Sequence, residues 1–182
     1  MQEDANPVHN FVYSSELVAF VKAANACCTY LEELKGSEGR DFITESLKHL
    51  SSVYTTFLNI GETEPVMESG LEPKVSEQEC STLFQRVSMI LGPYNDILRM
   101  VGEEEFDRSE LVNHTVSEDL ADLYQELRDF TTSYSLGMEE LMNDAAWDLK
   151  IRFNEHWGTK LLRALQALHE LLVSGVDPTE KE

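Results

Sequence analysis

Asp119, Glu126, Arg152 and His156 are the residues whose types and spacing bring acid, guanidinium and imidazole chemistry within reach of one another. At about 100° per residue on a helix from Ser117 to about Leu136, Asp119 and Glu126 fall at the border of the apolar stripe, while Asp122 and Asp129 point further out. On the helix that follows, Arg152 and His156 are four apart. They share a face with Met142, Ala145, Leu149 and Phe153, and polar groups on such a face need partners. Only Ser135, Leu136 and Gly137 separate the two patterns, which predicts an antiparallel hairpin and an Asp119–Arg152–His156 cluster with Glu126 beside it. Such a cluster either fixes helix register as an ion pair or walls a ligand pocket.

A second reading of the same region is carboxylate chemistry. Asp119, Asp122, Glu126 and Asp129, with Asp144 and Asp148 on the next helix, are oxygen ligands of the kind Mg²⁺ or Mn²⁺ takes, and the metal candidates are Asp119, Asp122, Glu126 and Asp144. All-helical nucleoside triphosphate pyrophosphohydrolases use E-x-x-E followed on a neighbouring helix by E-x-x-D. Here Glu126-Leu127-Arg128-Asp129 matches the second half, and Glu140-Leu141-Met142-Asn143 approaches the first in the wrong order with an amide for one acid. There is no G-x-S-x-G, no G-K-[ST] phosphate loop and no H-E-x-x-H. Glu45 and His49, four apart, read as a surface pair. Trp147 and Trp157 read as core or rim packing. Lys150, Arg152, Lys160 and Arg163 stand against Glu155 alone in the last helix, where they neutralise the acidic helix next to it.

The elements that must carry these residues follow from apolar spacing. Leu17, Phe20, Val21, Ala24, Cys27, Cys28, Leu31 and Leu34 predict a helix over 14–34, with both cysteines as core filler. After Gly36 and Gly39, a second helix runs from about Asp41 to Leu58. Residues 59–75, with Gly61, Pro65, Gly70, Pro73 and several glutamates, read as an acidic connecting loop with room to move. Ser76-Glu77-Gln78-Glu79 is a capping box that starts a third helix ending near Gly92-Pro93. A short helical piece over Tyr94–Val101 precedes an acidic stretch, and Thr115-Val116-Ser117-Glu118 caps the next helix. A very long helical pattern covers Met138–Val173, with a bend or split at Gly158. Residues 1–13 and 174–182 are expected to be flexible ends. The expectation is one all-α domain over 1–182, a bundle of six or seven helices with a long C-terminal helix.

Composition sets the class of partner. The 182 residues hold 34 Asp+Glu against 14 Lys+Arg, a formal charge of −20, with 42% apolar residues to build a core. A surface so negative repels phosphate backbones, so direct nucleic-acid binding is not expected, nor is attraction to an anionic membrane. No apolar run approaches the roughly 20 residues of a spanning helix. The acidic, polar start and three scattered cysteines suit a reducing, cytoplasmic setting.

Ser117-Glu118-Asp119-Leu120-Ala121-Asp122-Leu123-Tyr124-Gln125, Met142-Asn143-Asp144-Ala145 and Trp157-Gly158-Thr159-Lys160-Leu161 with Ala164-Leu165-Gln166-Ala167-Leu168-His169 resemble a small bacterial family of all-helical proteins classed as a domain of unknown function. The resemblance implies a free-standing cytoplasmic bacterial protein, and no activity, cofactor or catalytic residue comes with it. The leading expectation is a non-enzymatic helical protein that meets a basic protein partner through its acidic surface, with no cofactor. The alternatives are a divalent-metal-dependent enzyme of phosphate chemistry built on the carboxylates of 117–136 and 138–155, and a mimic of nucleic acid.

Overall fold

Apolar residues at three-four spacing build every long element of the structure, a computed structural model that describes residues 6–35, 39–67, 71–97 and 114–179. The helices are α1 (Pro7–Val12), α2 (Ser15–Glu32), α3 (Gly39–Phe57), α4 (Glu77–Leu91), α5 (Val116–Ser135), α6 (Glu139–Arg152) and α7 (Gly158–Ser174). Between α6 and α7 lies a π turn, Phe153–Trp157, through which the helical backbone continues without a break, so that 139–174 form one long C-terminal rod. The fold is an all-α bundle.

Side-chain oxygens start the helices as the sequence predicts. Ser14 accepts the amide of Leu17, Thr115 accepts that of Glu118, and Ser76 and Glu79 close a reciprocal capping box. One continuous core joins α2, α3, α4, α5 and α7. At its centre Phe20 meets Phe57 at 5.5 Å and Phe130 at 5.4 Å between ring centroids, and Phe57 meets Trp157 edge-on at 4.8 Å. Cys27 and Cys28 fill this core, where burial pushes the Cys27 thiol up to about 12.

Three expectations need correction. Residues 7–12 are helix α1, not a flexible end: Asn6 caps it, Val12 is buried, Tyr134 donates its hydroxyl to the Val12 carbonyl at 2.6 Å, and His9 meets Glu139 at 2.6 Å. Residues 1–5 lie outside the described residues. The C-terminal segment is also tied down, because the Asp177 carboxylate accepts the amides of Thr179 and Arg40 and thereby caps α3. Gly39, at φ +48°, is required there, since a Cβ would stand 2.6 Å from an Asp177 oxygen.

The piece expected as helix over 94–101 is a 3₁₀ turn, Gly92–Asn95, followed by Asp96–Ile97 paired antiparallel with His114–Thr115. Buried Asn95 explains the switch: its amide bonds the hydroxyl and backbone amide of Ser117 at 2.9 Å each, tying the turn to the start of α5. Residues 98–101 and the acidic stretch 102–113 lie outside the described residues. The 59–75 segment has no helix or strand over 60–67 and 71–75, and these parts are anchored to the α5–α6 hairpin.

Candidate functional site

Three ion pairs run along the contact of α5 with the C-terminal rod. Asp119, only 1% exposed, takes a two-pronged contact from Arg163, with Nε at 2.9 Å; Asp122 pairs with Lys160; Glu126 pairs with Arg152 Nε at 3.1 Å. Arg152 also lies 3.9 Å from Asp148. The predicted Asp119–Arg152–His156 cluster does not form. Asp119 meets Arg163, about three turns further along the rod than Arg152, and His156 is exposed on the π turn.

Arg152 precedes the π turn, so its pairing with Glu126 rather than Asp119 is set by the register of the α5–α6 hairpin, and the π turn acts on the residues beyond it. One extra residue in a turn rotates everything beyond it by about 100° relative to a regular helix, so a projection that holds for α6 fails for α7. The rotation brings Lys160 and Arg163 onto the acids of α5, the neutralisation that the local charge pattern anticipates. Gly158 makes the turn possible. Its amide bonds the Phe153 carbonyl five residues back, and a Cβ at 158 would stand 2.6 Å from that oxygen. A signal existed: the buried or half-buried positions 145, 149, 153, 157 and 161 advance by four at every step, each overshooting a regular turn by about 40°.

The described parts of the acidic segment, 59–67 and 71–75, form a strap across the hairpin. Asp144, 5% exposed, accepts the amides of Val66 and Met67 at 2.8 Å each. Asp129 accepts those of Lys74 and Val75 at 2.6 and 2.7 Å. Asn143 donates to the Glu64 carbonyl at 2.7 Å and accepts from the Thr63 hydroxyl, while Lys150 donates to the Gly61 carbonyl at 2.8 Å. The strap is thus held mostly by its backbone, with Glu62 pairing to Lys150 at 2.9 Å, and the side chains of Glu64 and Glu72 are exposed.

Under the strap, Leu71, Glu72 and Pro73 roof a cavity of about 40 Å³ whose walls include Glu126, Asp129, Asp148, Leu149 and Arg152. Burial pushes the Glu126 carboxyl up to about 7; Arg152 pulls it down, and the charges of Asp148, Asp129 and Asp122 push it up again. A carboxyl that titrates near neutrality can hold or release a proton. Ser133 is the hydroxyl among the described residues that line the cavity, and no histidine or cysteine lines it there.

The four metal candidates go to four different partners: Asp119 to Arg163, Asp122 to Lys160, Glu126 to Arg152 and Asp144 to strap amides. Among the described residues no three His, Cys, Asp or Glu side chains gather into a cation site. Glu45 bonds Lys48 at 2.7 Å, and His49 instead stacks on Tyr30 at 4.7 Å. Trp157 is core, donating its indole N–H to the Leu149 carbonyl at 3.0 Å, and Trp147 is half-buried. Sequence reasoning missed Asp129, Asp144 and Asn143 as anchors, because an acceptor of backbone amides looks the same in sequence as a solvated acid.

Comparison with known proteins agrees with this architecture. The family described as "Domain of unknown function (DUF5063)" matches residues 11–174. The crystal structure of protein BF1032 from Bacteroides fragilis is similar at 28% identity and a TM-score of 0.78, over 88% of this chain and 94% of that one. No curated protein matches. No described helix is long and apolar enough to cross a membrane.

Proposed function

Since the chain belongs to this family of unknown function, no activity comes with membership, and we propose that it is a non-enzymatic helical protein of the bacterial cytoplasm that acts through a basic protein partner. One observation carries the reading. Arg128, Lys150, Arg152, Lys160 and Arg163 are each paired with an acid of the same chain, and the described parts of the strap display Glu64 and Glu72 outward. Cations paired within the chain and an outward acidic strap leave an anionic surface on a chain of net charge −20. Such a surface steers association with a basic one and is weakened by salt.

The test compares the protein with a Glu64→Lys/Glu72→Lys variant, both immobilised and exposed to a bacterial lysate across a salt gradient. A protein retained at low salt, released by salt and lost by the variant is the expected result. Equal retention on both, or none at any salt, overturns the reading.

A further inference from the structure

At the end of the bundle where α1, the strap and the start of α6 converge, Asn6, Val8, Val66, Met138, Glu139 and Glu140 line an open groove of about 370 Å³. Val66 is 48% exposed and Met138 58% exposed. We propose that this groove is the contact point for the partner, and that it takes a short segment of the partner in which one or two large apolar side chains are flanked by arginine or lysine. The inference rests on the partner-binding reading above and locates it.

Three observations carry it. First, the backbone at Val66 is anchored: the nearly buried Asp144 carboxylate takes the amides of Val66 and Met67, and Val66 and Met138 both line the groove. Burying a carboxylate is costly unless it is well bonded, so a carboxylate used to fix an exposed valine has an effect at the surface rather than in the core. Second, the groove has volume for a leucine- or phenylalanine-sized side chain, and exposed apolar surface rimmed by polar groups is the usual form of a protein contact. Third, the rim is acidic. Glu139 and Glu140 line it and exposed Glu64 precedes Pro65 and Val66 in the strap; Glu139 is met by His9, and Glu140 has no ion pair among the described residues. An apolar floor with carboxylates around it complements an apolar side chain between basic ones, and arginine is the charged residue most favoured at such contacts.

The experiment uses the full chain and two fluorescent peptides, one with a Leu-Phe pair flanked on each side by two arginines, the other with Ser-Ser in place of Leu-Phe. Anisotropy is read at moderate salt for the wild type, Glu140→Lys and, as a distant exposed control, Glu155→Lys. The proposal expects the Leu-Phe peptide to bind at least ten-fold more tightly than the Ser-Ser peptide, and Glu140→Lys to weaken it at least ten-fold while Glu155→Lys changes it less than two-fold. Val66→Asp, which leaves the charge at 140 in place, should remove the preference for Leu-Phe. Binding of both peptides alike, weakened equally by either lysine variant, overturns the groove and leaves the acidic-surface reading standing. Binding of neither peptide overturns both.

Discussion

Glu126 and Arg152 meet at 3.1 Å with the carboxylate almost enclosed and the guanidinium half-exposed, a pairing in which burial of the acid outweighs the attraction of the base. The roof over them is the strap, and the next acid along α5, Asp129, holds that strap by its amides. The titrating Glu126 carboxyl and the strap residues Leu71, Glu72 and Pro73 therefore share one cavity.

The Glu126 carboxyl, raised to about 7 from its ordinary 4.5, binds its proton more tightly in the folded chain than in the unfolded one. Its contribution to stability is complete below about pH 4.5 and is lost as pH rises through about 7. Glu126→Gln is expected to be more stable than wild type at pH 8, by roughly 2–3 kcal/mol, with the difference vanishing towards pH 4.5. Urea melts of both proteins at several pH values check the sign; a less stable variant at pH 8 contradicts it.

Asp144→Ala removes the acceptor of two strap amides. A loss of about 1–3 kcal/mol is expected, since hydrogen bonds to a charged group are stronger than neutral ones. The specific readout is hydrogen exchange: the amides of Val66 and Met67 should lose protection, while those of α2 and α3 keep theirs.

Gly158→Ala puts a Cβ 2.6 Å from the Phe153 carbonyl oxygen and 2.9 Å from its ring. The π turn must then shift, at a cost of about 1–3 kcal/mol, the usual range for overpacking. Trp157 reports the change, and an unaltered melting temperature together with unaltered tryptophan emission would count against the account of the turn.

Arg163→Ala leaves the Asp119 carboxylate buried without its cation and is expected to destabilise by about 3–5 kcal/mol. The double variant Asp119→Leu/Arg163→Met, which removes both charges, should recover much of that loss. A double-mutant cycle by chemical denaturation measures it, and single variants as stable as wild type would show that the pair does not hold α5 to α7.

Much of the fold is legible in the residues. The stripes of α2, α3, α4 and α5, the Ser76 capping box and the Thr115 cap all follow from local spacing and short-range hydrogen bonding, which a sequence records directly. The candidate site was legible only in its membership: Asp119, Glu126 and Arg152 do lie on the α5–rod contact, but their pairing was not. The partner of Arg152 depends on the register of the hairpin, and those of Lys160 and Arg163 also on the rotation that one extra residue in the π turn at Phe153–Trp157 adds. Asp129 and Asp144 are a harder case, because their partners are backbone amides tens of residues away with no residue type to mark them.

What the sequence determined by itself is therefore the helical class, the element order and the excess of negative charge, all properties of near neighbours or of totals. The tertiary structure decided which acids are neutralised within the fold, which anchor the strap and which remain on the surface. Ion pairing and burial act over a few ångströms in space, and only the packed chain brings residues 66 and 144, or 119 and 163, within that range.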